Sequence, residues 1–146
     1  MFSKIVVGTD GSVTANLAVS LAVEIARQND AVLHLVHAFR VPSGSVSLGH
    51  GGAAAAVDES AGEAISEEAG EKLLAKAAEL AEGLTVHTHV LSGAAAEVLV
   101  RVAEDAGADL VVVGSKGMHG ARRLIGSVPN SVAHNAPCHV LIAKTA

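Results

Sequence analysis

Aromatic side chains are almost missing: of 146 residues only Phe2 and Phe39 are Phe, Tyr or Trp. Half the residues are nonetheless apolar, so a core has to be assembled from Val, Leu, Ile and Ala. Cysteine is nearly as scarce. Cys138 stands alone, which excludes an internal disulfide, suits a reducing cytoplasm and reads as a small buried hydrophobe at the start of a strand. No apolar run approaches the ~18–20 residues of a membrane span. The opening MFSKIVVGTD meets a charge too early for a secretory signal. A cytoplasmic protein without a membrane partner is expected. The net charge of −5 argues against a general nucleic-acid partner. The length suits one domain, 1–146.

The charges are unevenly placed. From Asp58 to Glu82 eight carboxylates face two lysines, whereas Lys116, Arg122 and Arg123 lie in a stretch, 111–136, that has no carboxylate. That basic island is also rich in glycine.

Local patterning gives five short strands and the helices between them. KIVVG (4–8) is a β-branched run ended by the turn signal Thr9-Asp10-Gly11-Ser12. Ser12 or Thr14 caps a helix whose apolar positions Ala18, Leu21, Ala22, Ile25 and Ala26 recur at helical spacing. AVLHLVHAF (31–39), LTVHTHVL (84–91), DLVVVG (109–114) and HVLIAK (139–144) read as the remaining strands, with helices over 94–106 and 127–135. An acidic helix starts near Asp58. Residues 41–57, with Pro, Ser, Gly and an alanine run, read as a flexible insertion, either a linker or a lid.

Strands alternating with helices predict an α/β fold: a five-stranded parallel sheet with helices on both faces. The runs VVV and VLI fit strands buried on both sides. The expected order 3-2-1-4-5 places a topological switch between strands one and four, where such sheets bind ligands outside their carboxyl ends. Those ends carry Gly8-Thr9-Asp10 and Gly114-Ser115-Lys116-Gly117.

The segment GSKGMHGARRLIGS (114–127) sets four glycines where a buried strand ends. Glycine lets backbone N–H groups close on an anion with no Cβ between. Gly126-Ser127 then opens a helix whose free N–H groups and dipole favour phosphate. Ser127 adds a hydroxyl, and Lys116, Arg122 and Arg123 add positive charge. The bland alternative is a tight loop beside a solvated basic face. The segment is not a Walker A loop, because no GK[ST] occurs. It is not a dinucleotide fingerprint, because the glycines follow the fourth strand.

IVVGTDGS, the segment VVGSKGMHGARRLIGSVPNSVAHNAPCHVLI and the strand pattern between them resemble the universal stress protein family, the UspA-like domains, over essentially the whole chain. The resemblance implies a Rossmann-like fold of the adenine nucleotide alpha-hydrolase type, ATP or another adenine nucleotide as ligand, and a regulatory role in the stress response. It implies that Gly8, Thr9 and Asp10 flank the adenosine, that Ala38 lies near the base and that Val113 and Gly114 approach the nucleoside. Gly117, Gly126, Ser127 and Val128 would hold the phosphates, with Lys116 beside them. Asp10 has two readings: a helix-entry residue that satisfies orphan amides, or a ligand residue that accepts from a ribose hydroxyl or holds Mg²⁺ through water. The resemblance favours the second.

In the family's nucleotide-binding branch the spacing is Gly, two residues, Gly, nine residues, Gly, then Ser or Thr. Here eight residues separate Gly117 from Gly126. If that run is helical, the missing residue turns Ser127 by about 100°.

The eight histidines do not make a metal site: His87 and His89 share a strand face with no carboxylate or cysteine at ligand spacing. His34, His37, His134 and His139 read as packing residues, and His119 lies in the Gly-rich loop. The apolar last strand, 139–144, is an edge that calls for cover, and pairing with a second copy, which the resemblance also implies, provides it. Three rivals to ATP binding stand beside it. A slow ATP hydrolase lacks any Glu, Asp or Gln between Leu110 and Ile142 to position water, leaving Asp10 or the 41–57 segment. A dimeric interaction protein of the non-nucleotide branch would have lost the glycines kept here. A cAMP binder would need fewer loop amides.

The short spacing is directly testable. Replacing Gly126 by Val adds a β-branched Cβ where the chain passes an anion, and nucleotide affinity should fall at least tenfold, about 1.4 kcal/mol. Inserting one Leu between Leu124 and Ile125 should leave affinity unchanged or improve it. If isothermal titration instead finds binding only in the insertion variant, the loop has drifted out of binding geometry.

Overall fold

The computed structural model of the chain describes residues 1–40, 59–115 and 127–145. The elements are β1 Lys4–Gly8, α1 Val13–Asn29, β2 Val32–Phe39, α2 Glu59–Ala78, β3 Val86–Ser92, α3 Ala95–Ala106, β4 Leu110–Gly114, α4 Val128–Asn135 and β5 His139–Ala143. A 3-10 turn, Glu79–Ala81, follows α2. The insertion read at 41–57, as linker or lid, lies outside the described residues.

The sheet is parallel throughout, in the order β3-β2-β1-β4-β5. Its strands alternate side chains between two separate cores. Ile5, Val7, Leu33, Leu35 and Val112 face α1 and α2, while Val6, Val36, Val111 and Val113 face α3 and α4.

Helix limits follow local chemistry. The Ser12 hydroxyl accepts from the Ala15 amide at 3.1 Å and caps α1. One face of α1 is then small and buried: Ala18, Val19, Ala22, Val23 and Ala26. In α3, Val98, Leu99, Val102 and Ala103 form the buried stripe, and Gly107 at φ 63° ends the helix. Its amide and that of Ala108 return to the carbonyls of Glu104 (3.1 Å) and Ala103 (2.9 Å). α4 begins with Pro129 in its first turn and stops before Pro137.

Two strand expectations need amending. β4 is buried on both sides, as its VVV run suggested, but β5 is not: Ile142 of the VLI run is 47% exposed. Among the described residues β5 has a strand neighbour on one side only, so its outer edge is unpaired. The histidines are also less scattered than their positions suggest. The β2–β3 register sets His34 opposite His87 and Val36 opposite His89. His34 lies stacked against both His87 and His89, with ring centroids 5.1 and 5.2 Å away. Its Nδ1 is 2.9 Å from Nε2 of His89. Two neutral imidazoles satisfy that contact with one N–H and one lone pair, whereas a proton on each would set two N–H groups face to face.

Burial first, then the nearby His89, His87 and Lys4, lowers the pKa of His34 from 6.5 to about 4. His89 is lowered by burial and by His87. A histidine whose folded pKa is depressed takes up its proton more readily unfolded, so its stabilisation is present above pH 6.5 and is lost as pH falls toward 4. Between pH 7 and pH 5 His34 should therefore cost the fold on the order of 1–2 kcal/mol. Urea unfolding should show a shallower acid-side loss in His34→Leu than in the parent. Parallel pH profiles for the two proteins would contradict this assignment.

Candidate functional site

β1 and β4 are neighbours, with Val7 opposite Val112, and the chain leaves their carboxyl ends in opposite lateral directions. The expected switch point therefore forms.

On the β1 side the backbone turns from strand to helix within four residues. A Cβ on Gly8 would lie 3.1 Å from both Leu99 methyls, so glycine lets α3 close beneath the turn. Thr9 is buried, donates its amide to the Val36 carbonyl at 2.9 Å and accepts from the Gly11 amide through Oγ1 at 3.1 Å. Asp10 is half-buried, and its Oδ1 accepts from the Ser12 amide at 2.9 Å. The helix-entry reading of Asp10 thus holds for one carboxylate oxygen. Gly11 takes φ 80°, and a Cβ there would meet Leu73 of α2 at 2.9 Å.

Ala38 is half-buried on the α3 side of β2, and Val113 is buried on that side of β4. Gly114 closes β4. The next residue is tied to the last strand: the Ser115 amide donates to the Ala143 carbonyl at 2.7 Å, and Ser115 Oγ accepts from the Thr145 amide at 3.0 Å. Ser127 begins α4 in extended geometry, its carbonyl accepting from the Ser131 amide at 3.0 Å, and its hydroxyl makes no capping bond. Val128 packs into the α3–α4 core. Because α4 joins two parallel strands, its N-terminus lies at the carboxyl edge too.

The structure thus brings Gly8, Thr9, Asp10, Ala38, Val113, Gly114, Ser127 and Val128 to one edge of the sheet. Lys116, Gly117 and Gly126 lie outside the described residues, as do His119, Arg122 and Arg123.

Sequence reasoning missed His37. Its Nδ1 lies 2.9 Å from the Thr9 carbonyl, so an expected packing residue touches the candidate site. The signal was the strand's alternation, which puts His37 on the face of Leu33 and Leu35, beneath α2. Cys138, expected to be buried, is only half-buried and stands just before β5, packed against the α3–α4 core; its burial, with Asp109 adding to it, pushes the thiol pKa up, away from a reactive thiolate.

Among the described residues no group of three or more His, Cys, Asp or Glu is placed to hold a metal ion. Among them, too, no helix is long and apolar enough to cross a membrane.

These features define a doubly wound α/β protein with its candidate site at the strand-order switch. The family model for the universal stress protein family matches residues 1–144, and the chain belongs to that family. A universal stress protein of Methanocaldococcus jannaschii is 36% identical over 147 residues, covering 99% of this chain and 83% of that one. Universal stress protein YxiE of Bacillus subtilis is 32% identical over 148 residues, covering 99% of this chain and 100% of its own. Among solved structures, a universal stress protein in complex with cAMP superposes with a TM-score of 0.73 at 32% identity, over 99% of this chain and 98% of that one.

Proposed function

We propose that this protein binds ATP, or a related adenine nucleotide, at the carboxyl edge of β1 and β4, and acts as a cytoplasmic regulator in the stress response. The observation that carries the reading is the convergence of the Thr9–Asp10 turn, the end of β4 at Gly114 and the N-terminus of α4 at Ser127 on one edge. In this reading Gly8, Thr9 and Asp10 flank the adenosine, Ala38 lies by the base, and Val113 and Gly114 meet the nucleoside. Lys116, Gly117, Gly126, Ser127 and Val128 serve the phosphates. A magnesium ion would ride on the phosphates, with Asp10 reaching it through water, since the described residues build no metal cluster of their own.

A second ligand has a specific observation in its favour. The 32%-identical structure is a complex with cAMP, whose single phosphate needs fewer loop amides. The described edge suits either molecule, because adenosine is common to both. Hydrolysis is the less favoured reading, since the sequence from Leu110 to Ile142 offers no Glu, Asp or Gln to position water.

Thermal unfolding distinguishes the ligands. A ligand present at about one hundred times its Kd adds about 2.7 kcal/mol, which raises the Tm of a domain this size by roughly 5–10 °C. ATP with Mg²⁺ should give that shift. A shift with cAMP alone would reassign the site to the cyclic nucleotide, and no shift with either at millimolar concentration would overturn the nucleotide reading.

The protein is further proposed to be a homodimer through its last strand, residues 139–144. β5 is an edge strand with Ile142 47% exposed, a surface that a second copy would cover. Leu141→Lys should convert dimer to monomer in solution scattering. A folded variant that stays dimeric would exclude this interface.

A further inference from the structure

We infer that His37 is the positioning residue of the β1–α1 turn, holding the peptide between Thr9 and Asp10 in one orientation, and that α2 seats His37 for that purpose. This rests on the nucleotide reading of the turn for its functional meaning, but not for its geometry. A carbonyl oxygen can only accept, so at 2.9 Å from the Thr9 carbonyl His37 Nδ1 must carry the proton. The Thr9 amide is also held by β2, donating to the Val36 carbonyl at 2.9 Å. Two consecutive residues of β2 therefore grip Thr9 from both ends of its backbone.

That grip reaches Asp10 through the planar trans peptide. Thr9 C=O and Asp10 N–H belong to one rigid unit and point in opposite directions. Fixing the carbonyl on His37 aims the Asp10 amide away from the α2 side of the sheet. It also fixes where the Asp10 side chain starts. The rest of the turn follows from that start: Gly11 N–H meets Thr9 Oγ1 at 3.1 Å, and Ser12 N–H meets Asp10 Oδ1 at 2.9 Å.

α2 supports this arrangement at two points one helical turn apart. A Cβ on Gly70 would lie 2.6 Å from Val90 Cγ1 and 2.9 Å from His37 Cδ2, so the missing side chain is what leaves room for the imidazole. Leu73 lies beneath Gly11, 2.9 Å from where a Cβ would stand. An apolar residue at position 37 would fill the same space, but it would leave the buried Thr9 carbonyl without its donor and free the peptide to turn over.

The test compares His37→Asn, whose amide Nδ2 stands close to where Nδ1 stands, with His37→Leu, which packs but cannot donate. Titration with ATP and Mg²⁺, and separately with cAMP, should show at least a tenfold loss of affinity in His37→Leu. His37→Asn should stay within about threefold of the parent. Hydrogen exchange without ligand should show faster Gly11 and Ser12 amides in His37→Leu only. Equal affinities in parent and folded His37→Leu, or a His37→Asn variant as impaired as His37→Leu, would overturn the inference. If the parent binds neither nucleotide, the proposed function fails, and the exchange rates decide on their own whether His37 positions the turn: equal rates in all three proteins reject it. Should His37→Leu not fold, the exchange and affinity of His37→Asn against the parent decide, since loss of both would show that the donor is not what matters.

Discussion

β1 is paired on both sides, and most of the molecule is organised by that constraint. Ile5, Val6 and Val7 are fully buried, with β2 along one edge and β4 along the other. At the amino end the register is pinned by Asp109, which accepts from the Ser3 amide (2.8 Å), the Ser3 hydroxyl (2.7 Å) and the Lys4 amide (3.1 Å). Burial alone would raise the pKa of that carboxyl. The hydrogen bonds from Ser3 and Lys4 outweigh it and hold the group below its ordinary value. With the β1–β4 pairing fixed there, the carboxyl ends of β1 and β4 are set side by side, and the connections that leave them part in opposite directions.

The shortage of aromatic residues shapes what lies on this frame. A core of Val, Leu, Ile and Ala, with small residues at the contacts, lets helices lie close to the sheet. α1 presents an alanine-rich face, α2 presents Gly70, and β1 ends in Gly8 over Leu99. The small residue at Gly70 leaves room under α2 for the His37 imidazole, which reaches the Thr9 carbonyl across the neighbouring strand.

Much of the fold was legible because each element carries its own period and its own stop signals. Alternation gave β3, a capping serine gave α1, and Pro137 marked the end of α4. The alternation of strands and helices gave a parallel sheet, and the expected order 3-2-1-4-5 is the one observed. What local sequence does not contain is register between strands. Nothing in LHLVHAF or VHTHVL says that His34 lies opposite His87, so the three-histidine stack was invisible, and His34 looked like an isolated packing residue. Gly70 was unremarkable for the same reason, since its importance depends on Val90 and His37 lying across from it. The turn at Thr9–Asp10 was read from its residue types, while the histidine that holds it required the fold.

The short Gly117–Gly126 spacing acquires a physical meaning from the two ends that flank it. Ser115 is stitched to β5 through Ala143 and Thr145. On the far side, α4 is seated by Pro129 and Val132, both buried, with Val132 fully so. A rotation of about 100° at Ser127, carried into α4, would swing Val132 out of the α3–α4 core. The buried position of Val132 shows that α4 keeps its face toward the sheet. The N-terminus of α4 therefore stays at the carboxyl edge of the sheet. In the proposed reading, the helix end that would face the phosphates is thus set by core packing.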